Sequence, residues 1–446
     1  MIRKITRTIL ATVCFSLLSN FGVAEDLFVN PAATSGAQNG SSFADGFLTI
    51  ADAVQEANTS VPNTTIHLTP DVFLPPSTLT VTDECLIVGD PSGGTTILTS
   101  ACTPTFDIQN TDIHFFDVHF AGPSRVLEAT GGKISFERCV ITGTGGTFSS
   151  NLGAIQVRNA ERLMIKECLV EANHHLGSGG AVLADNCWEV QIEESSFHNN
   201  GSQQNGGAAA LINCNRVRVH FSTFTGNQTN RSGAGLYIDN MDPAADTRIT
   251  HTRLASNSAA GQGGGLYLIS AGTCEMVNCV IQKNVIYGSG GGILARGPGL
   301  ILDVVNCTIV DNFANSGAGI WHLSWANHLR IVNSILWGNR AMKPNLLEQQ
   351  LAFPPTMMGH SCVEDWGSIS AYVGFAMINL NPRLRADGSP RLLSPCIDAG
   401  NTAACTELED IIKNPRVVGS SIEMGAYEVK SPFIIRKDPS LSFGVK

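Results

Sequence analysis

The chain has 446 residues, a formal charge of −10 spread without an acidic tail, and no basic stripe, which excludes nucleic acid as a partner class. Charged residues make up 15%, well under the usual ~25%, while Gly reaches 45 residues, above its usual ~7% share. That balance suits a narrow core of many short strands joined by tight turns.

In chain order, Arg3, Lys4 and Arg7 form a positive start, Ile9 to Leu18 a short apolar run, and Gly22-Val23-Ala24 a small-residue cleavage site. Residues 1–24 therefore read as an export signal, with the mature chain starting near Glu25. The apolar run is about half the ~20 residues a membrane span needs, and no later stretch is long enough to span. Removing Cys14 leaves twelve of the thirteen cysteines, and export permits disulfides among them. None sits in a C-x-x-C pair, so no metal site is expected.

Residues 25–63 read as an entry cap. Leu27 to Val29 is a strand, and Phe47, Ile50, Ala51 and Val54 recur at helical spacing up to Asn58. Stacked arrays need such a cover because a bare end exposes core and strand edges. From 64 to 140 come short alternating strands, such as Ile66 to Leu68, Phe106 to Ile108 and Val118 to Phe120, punctuated by Gly.

Between Ile165 and Asn339 the pattern becomes a strict repeat. A small-residue signature begins at Gly179, Gly206, Gly233, Gly263, Gly290 and Gly317, in steps of 27, 27, 30, 27 and 27 residues. In phase with it runs an apolar-x-x-Asn ending at Asn173, Asn200, Asn227, Asn257, Asn284, Asn312 and Asn339. A fixed period in this range means stacked units that cannot bury their apolar faces alone. Each unit reads as strand, turn, strand, turn, without a helical period, so parallel strands stack ~4.8 Å apart in a β-helix. The Asn column can pass hydrogen bonds from coil to coil and tolerates the left-handed conformation of a bend, and the Gly column allows φ > 0 and close packing. Cys168, Ser195, Ser222, Thr252, Cys279, Cys307 and Ser334 form a small inward column.

These paired signatures, kept intact at Phe197–Asn200 and Phe224–Asn227, resemble the repeats of chlamydial polymorphic outer membrane proteins. More generally they look like right-handed parallel β-helix proteins of the pectin-lyase-like class. Asn381-Pro382, Ser394 to Asn401, Asp410, Pro415-Arg416 and Met424 to Glu428 resemble the "choice-of-anchor Q" terminal domain of exported bacterial proteins, departing from its pattern at Asn381 and Asn414. The resemblances imply an all-β fold, a right-handed parallel β-helix (solenoid) over 64–380 with a short N-terminal capping helix. A choice-of-anchor-like domain over 381–428 and a tail over 429–446 follow. That tail holds no apolar anchor helix, so release or non-covalent surface attachment is expected.

Pectin-lyase-like proteins include polysaccharide lyases and hydrolases, but the hydrolases' clustered Asp with His-Gly and Arg-x-Lys do not occur here. The nearest catalytic candidates share one outward column: Asp185 and Asp239, two coils or roughly 9.6 Å apart, and Arg296. That separation is at the upper edge of the ~6.5–9.5 Å used by inverting glycosidases. The alternative is three solvated surface charges. A lyase would imply Ca²⁺; otherwise no cofactor is expected. Beside that column runs another with Tyr237, Tyr267 and Trp321, three of the ten Tyr and Trp in the chain. Flat aromatics on a rigid face can stack on sugar rings or bury against protein, including a covering loop of this chain. Cys396–Cys405 is the foremost disulfide candidate, with Cys187–Cys214, one coil apart, as a second. His322, in an inward column, reads as a hydrogen-bonded core or strand-end His rather than a catalytic base, since no partner carboxylate is evident.

The leading expectation is a secreted or cell-surface scaffold that binds polysaccharide or a surface protein without catalysis. A lyase or glycoside hydrolase is the alternative, and a self-assembling envelope protein a third.

Overall fold

The computed structural model describes residues 25–33, 38–59, 63–99, 104–144, 153–324, 328–342, 347–366 and 374–429. The expected signal over 1–24 and residues 430–446 of the tail lie outside the described residues.

One coil of the repeat runs Glu189–Glu193, Ser196–His198, Gly201–Ser202 and Ala209–Ile212. Each strand pairs in parallel with its counterpart one coil on, Arg216–His220, Thr223–Thr225, Gln228–Thr229 and Leu236–Asn240. Stacking gives four sheets of 13, 12, 7 and 10 strands among the described residues. The unit thus holds four strands rather than the two read from its pattern. The extra divisions come from left-handed backbone at each corner of this coil, at Glu194, Asn199, Gly206 and Asn213. At Gly206, φ is +72° and an added Cβ would lie 2.5 Å from the Ala209 carbonyl oxygen, so only Gly fits.

The ladder asparagines are buried and hydrogen-bonded as the spacing predicts. Asn200 donates from Nδ2 to Asn227 Oδ1 at 3.0 Å and to the Val170 carbonyl at 2.9 Å, and its backbone N–H also reaches Asn227 Oδ1. The series runs unbroken from Asn173 to Asn339, closed below by Thr144 and above by Gln350. One detail departs from the sequence reading. The left-handed residue is the one before each ladder Asn: Ala172, Asn199, Gly226, Ser256, Lys283, Asp311 and Gly338. At such a corner the left-handed residue faces outward, as exposed Asn199 does, and the next one turns into the core, as buried Asn200 does.

The coil ends are covered. Helix Ile50–Ala57, capped by the Thr49 hydroxyl accepting from the Asp52 N–H, buries Ile50, Ala53, Val54 and Ala57 over the first coil. Asn58 ties it down through the Thr80 carbonyl and the Thr82 N–H. At the far end Phe375 and Ile378 bridge to Gly359 and Cys362, and Trp366 and Met377 pack onto the core.

Residues 381–428 lie lengthwise along the corner between the 13- and 12-stranded sheets. The corner's left-handed column holds them: His251 Nε2 and Asn278 Nδ2 both meet the Glu409 carbonyl, at 2.9 and 2.8 Å. Asn333 exchanges two hydrogen bonds with the Asn401 backbone. Farther down, Lys413 pairs with Glu194 at 3.2 Å and covers the Phe221 ring at 4.7 Å. This segment is a lateral strap across several coils. Where it is absent, the same column carries Arg138 and Glu167.

Candidate functional site

On the outer face of the ten-stranded sheet the two expected columns lie side by side. Parallel register stacks Leu183, Ala210, Tyr237, Tyr267, Leu294 and Trp321, and next to them Asp185, Ile212, Asp239, Ile269 and Arg296. The Tyr237 and Tyr267 rings stack 5.2 Å apart within 6° of parallel. They are closed to a ligand, however, with only 7% and 4% of their surface exposed. Each ring is covered by its neighbours in the stack and by the Gly turn that precedes its strand, whose Gly233 and Gly263 approach the tyrosine Cβ atoms. Trp321 is half-buried against the edge of Phe353. The repeat's own turn thus closes over Tyr237 and Tyr267, and the loop that carries Phe353 packs on Trp321.

The charged column is tied into the same packing. Tyr237 donates its hydroxyl to Asp239 at 3.0 Å, and burial together with that carboxylate pushes the phenol upward in pKa. The Arg296 guanidinium sits 5.4 Å from the Tyr267 ring centre. Ile212 stands between Asp185 and Asp239, and Ile269 between Asp239 and Arg296. The three charges share a face as expected, spaced by aliphatic residues. Among the described residues no three His, Cys, Asp or Glu converge as a metal ion would need.

His322 lies at the edge of this sheet, 2% exposed, with no partner for Nε2. Burial lowers its pKa from 6.5 to about 4. The folded state thus favours the neutral ring, so stability should fall as pH drops from about 6.5 through about 4. The full loss is ~3 kcal/mol. Chemical denaturation at pH 7 and pH 4.5 should show a smaller pH effect in His322→Gln than in the parent; equal slopes would contradict this.

The thiols are free among the described residues and, apart from half-exposed Cys405, buried. Cys187 and Cys214 stack one coil apart, each Sγ also donating to a carbonyl of the coil before. The expected Cys396–Cys405 pairing does not occur. Cys396 packs against Cys362 of the last coil in a cluster with Val310, Ile335 and Met424. Cys405 turns instead toward Asn306 and Arg416. The reason is the docking of the strap, which separates two residues close in sequence.

A concavity that the sequence reading missed runs over the seven-stranded sheet. About 270 Å³ in volume, it is walled by His174, Gln203, Gln228, Asn230, Ser258 and Tyr287. Register stacks His174, Gly201, Gln228, Ser258 and Val285 in one row. Asn230 donates its amide to Gln203 one coil below, holding that wall in place. Tyr287 stands at the rim with 73% of its surface exposed. The signal was present in the one to three residues after each ladder Asn, which vary from coil to coil and include His174, Gln228, Asn230, Ser258 and Tyr287, while the Gly and Asn columns stay constant. A second concavity of about 470 Å³ lies at the strap, where Arg253 already donates to the Asp387 carbonyl and the Tyr427 hydroxyl.

The family described as "Right handed beta helix region" matches residues 126–297. No curated protein matches the chain. Among solved structures, pectate lyase Pel9A is similar over 92% of this chain and 98% of its own, at 13% identity and a TM-score of 0.38. The PL6 family alginate lyase AlyGC is similar over 86% of this chain and 60% of its own, at 10% identity and a TM-score of 0.35. At these scores neither likeness carries a role across. The chain is an all-β, right-handed parallel β-helix with a short N-terminal helix.

Proposed function

We propose that the protein is an exported scaffold that binds polysaccharide at or near the cell surface without cleaving it. The observation that carries this reading is the open, amide- and hydroxyl-lined groove over the seven-stranded sheet with Tyr287 exposed at its rim. Stacked strands hold those side chains without a rearrangement on binding, which lowers the entropy cost of recognition. A phenol ring offers a flat apolar face to a sugar, while amides and hydroxyls meet its oxygens. Export and surface attachment rest on the leader over 1–24 and on the resemblance of 381–428 to a choice-of-anchor domain. The aromatic platform of this proposal is Tyr287, in place of the covered Tyr237 and Tyr267. No observation specifically favours the lyase or hydrolase alternative, because Asp239 is engaged by Tyr237 and Asp185 lies beyond Ile212.

Electrophoresis through gels containing soluble polysaccharides tests the reading. The parent should be retarded by at least one polymer, and Tyr287→Ala should weaken retention about tenfold, the equivalent of ~1.4 kcal/mol. Tyr267→Ala, which opens a buried stack, should lower thermal stability and leave retention unchanged. Equal retention of the parent and Tyr287→Ala would remove the groove from the account.

A further inference from the structure

The geometry points to a neutral glycan, rather than a uronate or sulfated polymer, as the ligand of the groove over the seven-stranded sheet; this rests on the polysaccharide-binding reading above. The wall chemistry is the first ground. Gln203, Gln228, Asn230, Ser258 and Tyr287 supply amides, a hydroxyl and a phenol, and no Lys, Arg, Asp or Glu lines the space. His175 lies at its base, 1% exposed and bonded to Thr144, and burial holds its pKa down at about 3, so the ring is neutral there. His174, exposed at one end of the row, is the wall's solvent-facing imidazole. A polymer with a carboxylate on each sugar would bring charges into a groove with no Lys or Arg along its length to compensate their lost hydration. Neutral hydroxyls need only what the walls offer, donors and acceptors in equal supply.

The second ground is periodicity. Gly201, Gln228 and Ser258 occupy equivalent places on successive coils, as do Gln203 and Asn230 one coil apart. Polar side chains thus recur on two successive coils in each line, Gln228 with Ser258 and Gln203 with Asn230, ~4.8 Å apart along the axis. A repeating polymer can use such a wall sugar after sugar, whereas a compact ligand engages one rung. The third ground is long-range: a formal charge of −10 repels polyanions before contact. Arg231 follows Asn230 in sequence and is exposed, but it is not part of the wall.

The experiment is a binding titration of the mature protein with neutral polymers (mixed-linkage glucan, xylan, galactomannan) and acidic ones (polygalacturonate, alginate), at ~0.05 and ~0.5 M salt. At least one neutral polymer should bind at least tenfold more tightly than either acidic one, with little change across the salt range. Gln228→Ala and Tyr287→Ala, both exposed positions, should each weaken it about tenfold, with unchanged thermal melts. Preferential binding of an acidic polymer that fades with salt and is lost in Arg231→Ala would overturn neutrality and leave polysaccharide binding standing. Equal affinity for both classes would also overturn neutrality alone. Retention of no polymer of either class would overturn both, and neutral binding untouched by both substitutions would overturn the groove as its site.

Discussion

Asn227→Ala is expected to lower the unfolding free energy by about 4 kcal/mol, because one side chain satisfies several buried groups at once. Its Nδ2 serves Asn257 Oδ1 and the Phe197 carbonyl, while its Oδ1 receives both the backbone N–H and the side-chain amide of Asn200. Truncation leaves those partners inside the coil without water. A stack of coils is held by nearest-neighbour interfaces, so a break in mid-ladder also loosens the coupling between the blocks on either side. Urea unfolding followed by circular dichroism should show a lower midpoint and a broadened or divided transition. Asn199→Gly, at the adjacent exposed left-handed position, should shift stability by only tenths of a kcal/mol. If both variants lose the same amount, the ladder is not what holds the corner.

Arg416→Met should cost 3–5 kcal/mol locally, the usual penalty for leaving one member of a buried ion pair unmatched. Arg416 and Glu428 are 2% and 0% exposed and meet at 3.2 Å. With its amide oxygen turned toward the guanidinium, Asn306 of the corner column accepts from Arg416 Nε at 2.8 Å. Asp410 accepts the Glu428 N–H, so the network joins the strap to itself and to the coils. The expected result is rapid hydrogen exchange and proteolysis over 381–428 while the coils keep their dichroism. Arg416→Met with Glu428→Leu should recover part of the loss, because it removes both charges. Slow exchange of the strap in Arg416→Met would contradict this role. Burial also pushes the nearby Glu423 carboxyl up from 4.5 to about 7. Its neutral form is the folded one, so this contribution is whole below about 4.5 and lost as pH rises through about 7.

The sequence made the coil legible because its constraints repeat. One Asn per turn, one left-handed Gly per turn and inward aliphatic columns each recur often enough to cancel local exceptions. Short strands were harder to read. Gly201–Ser202 and its equivalents are two residues long, too brief for an alternation pattern, and so the seven-stranded sheet and its groove escaped notice. Direction was legible at Tyr237 and Tyr267, since both do lie on the outer face, but outward did not mean exposed. A preceding Gly turn close to their Cβ atoms and a stacked neighbour close that face, and alternation contains no information on either. The strap was visible only as a terminal motif. Its docking depends on contacts between residues more than a hundred positions apart, such as Asn278 with Glu409, which no local pattern encodes. In retrospect the left-handed corner column, changing from Arg138 and Glu167 to Asn278, Asn306 and Asn333, marks where the strap lies.

Binding without cleavage is the centre of this account, and one sample can test both halves. The mature protein is incubated with a polysaccharide that retards it, bound polymer is separated from free, and the chain length of each fraction is measured by size-exclusion chromatography. The expected result is a bound fraction that depends on Tyr287 and a polymer length unchanged over a day. Shortened polymer whose appearance is abolished by Asp239→Asn or Arg296→Ala would contradict it and place catalysis on the ten-stranded sheet.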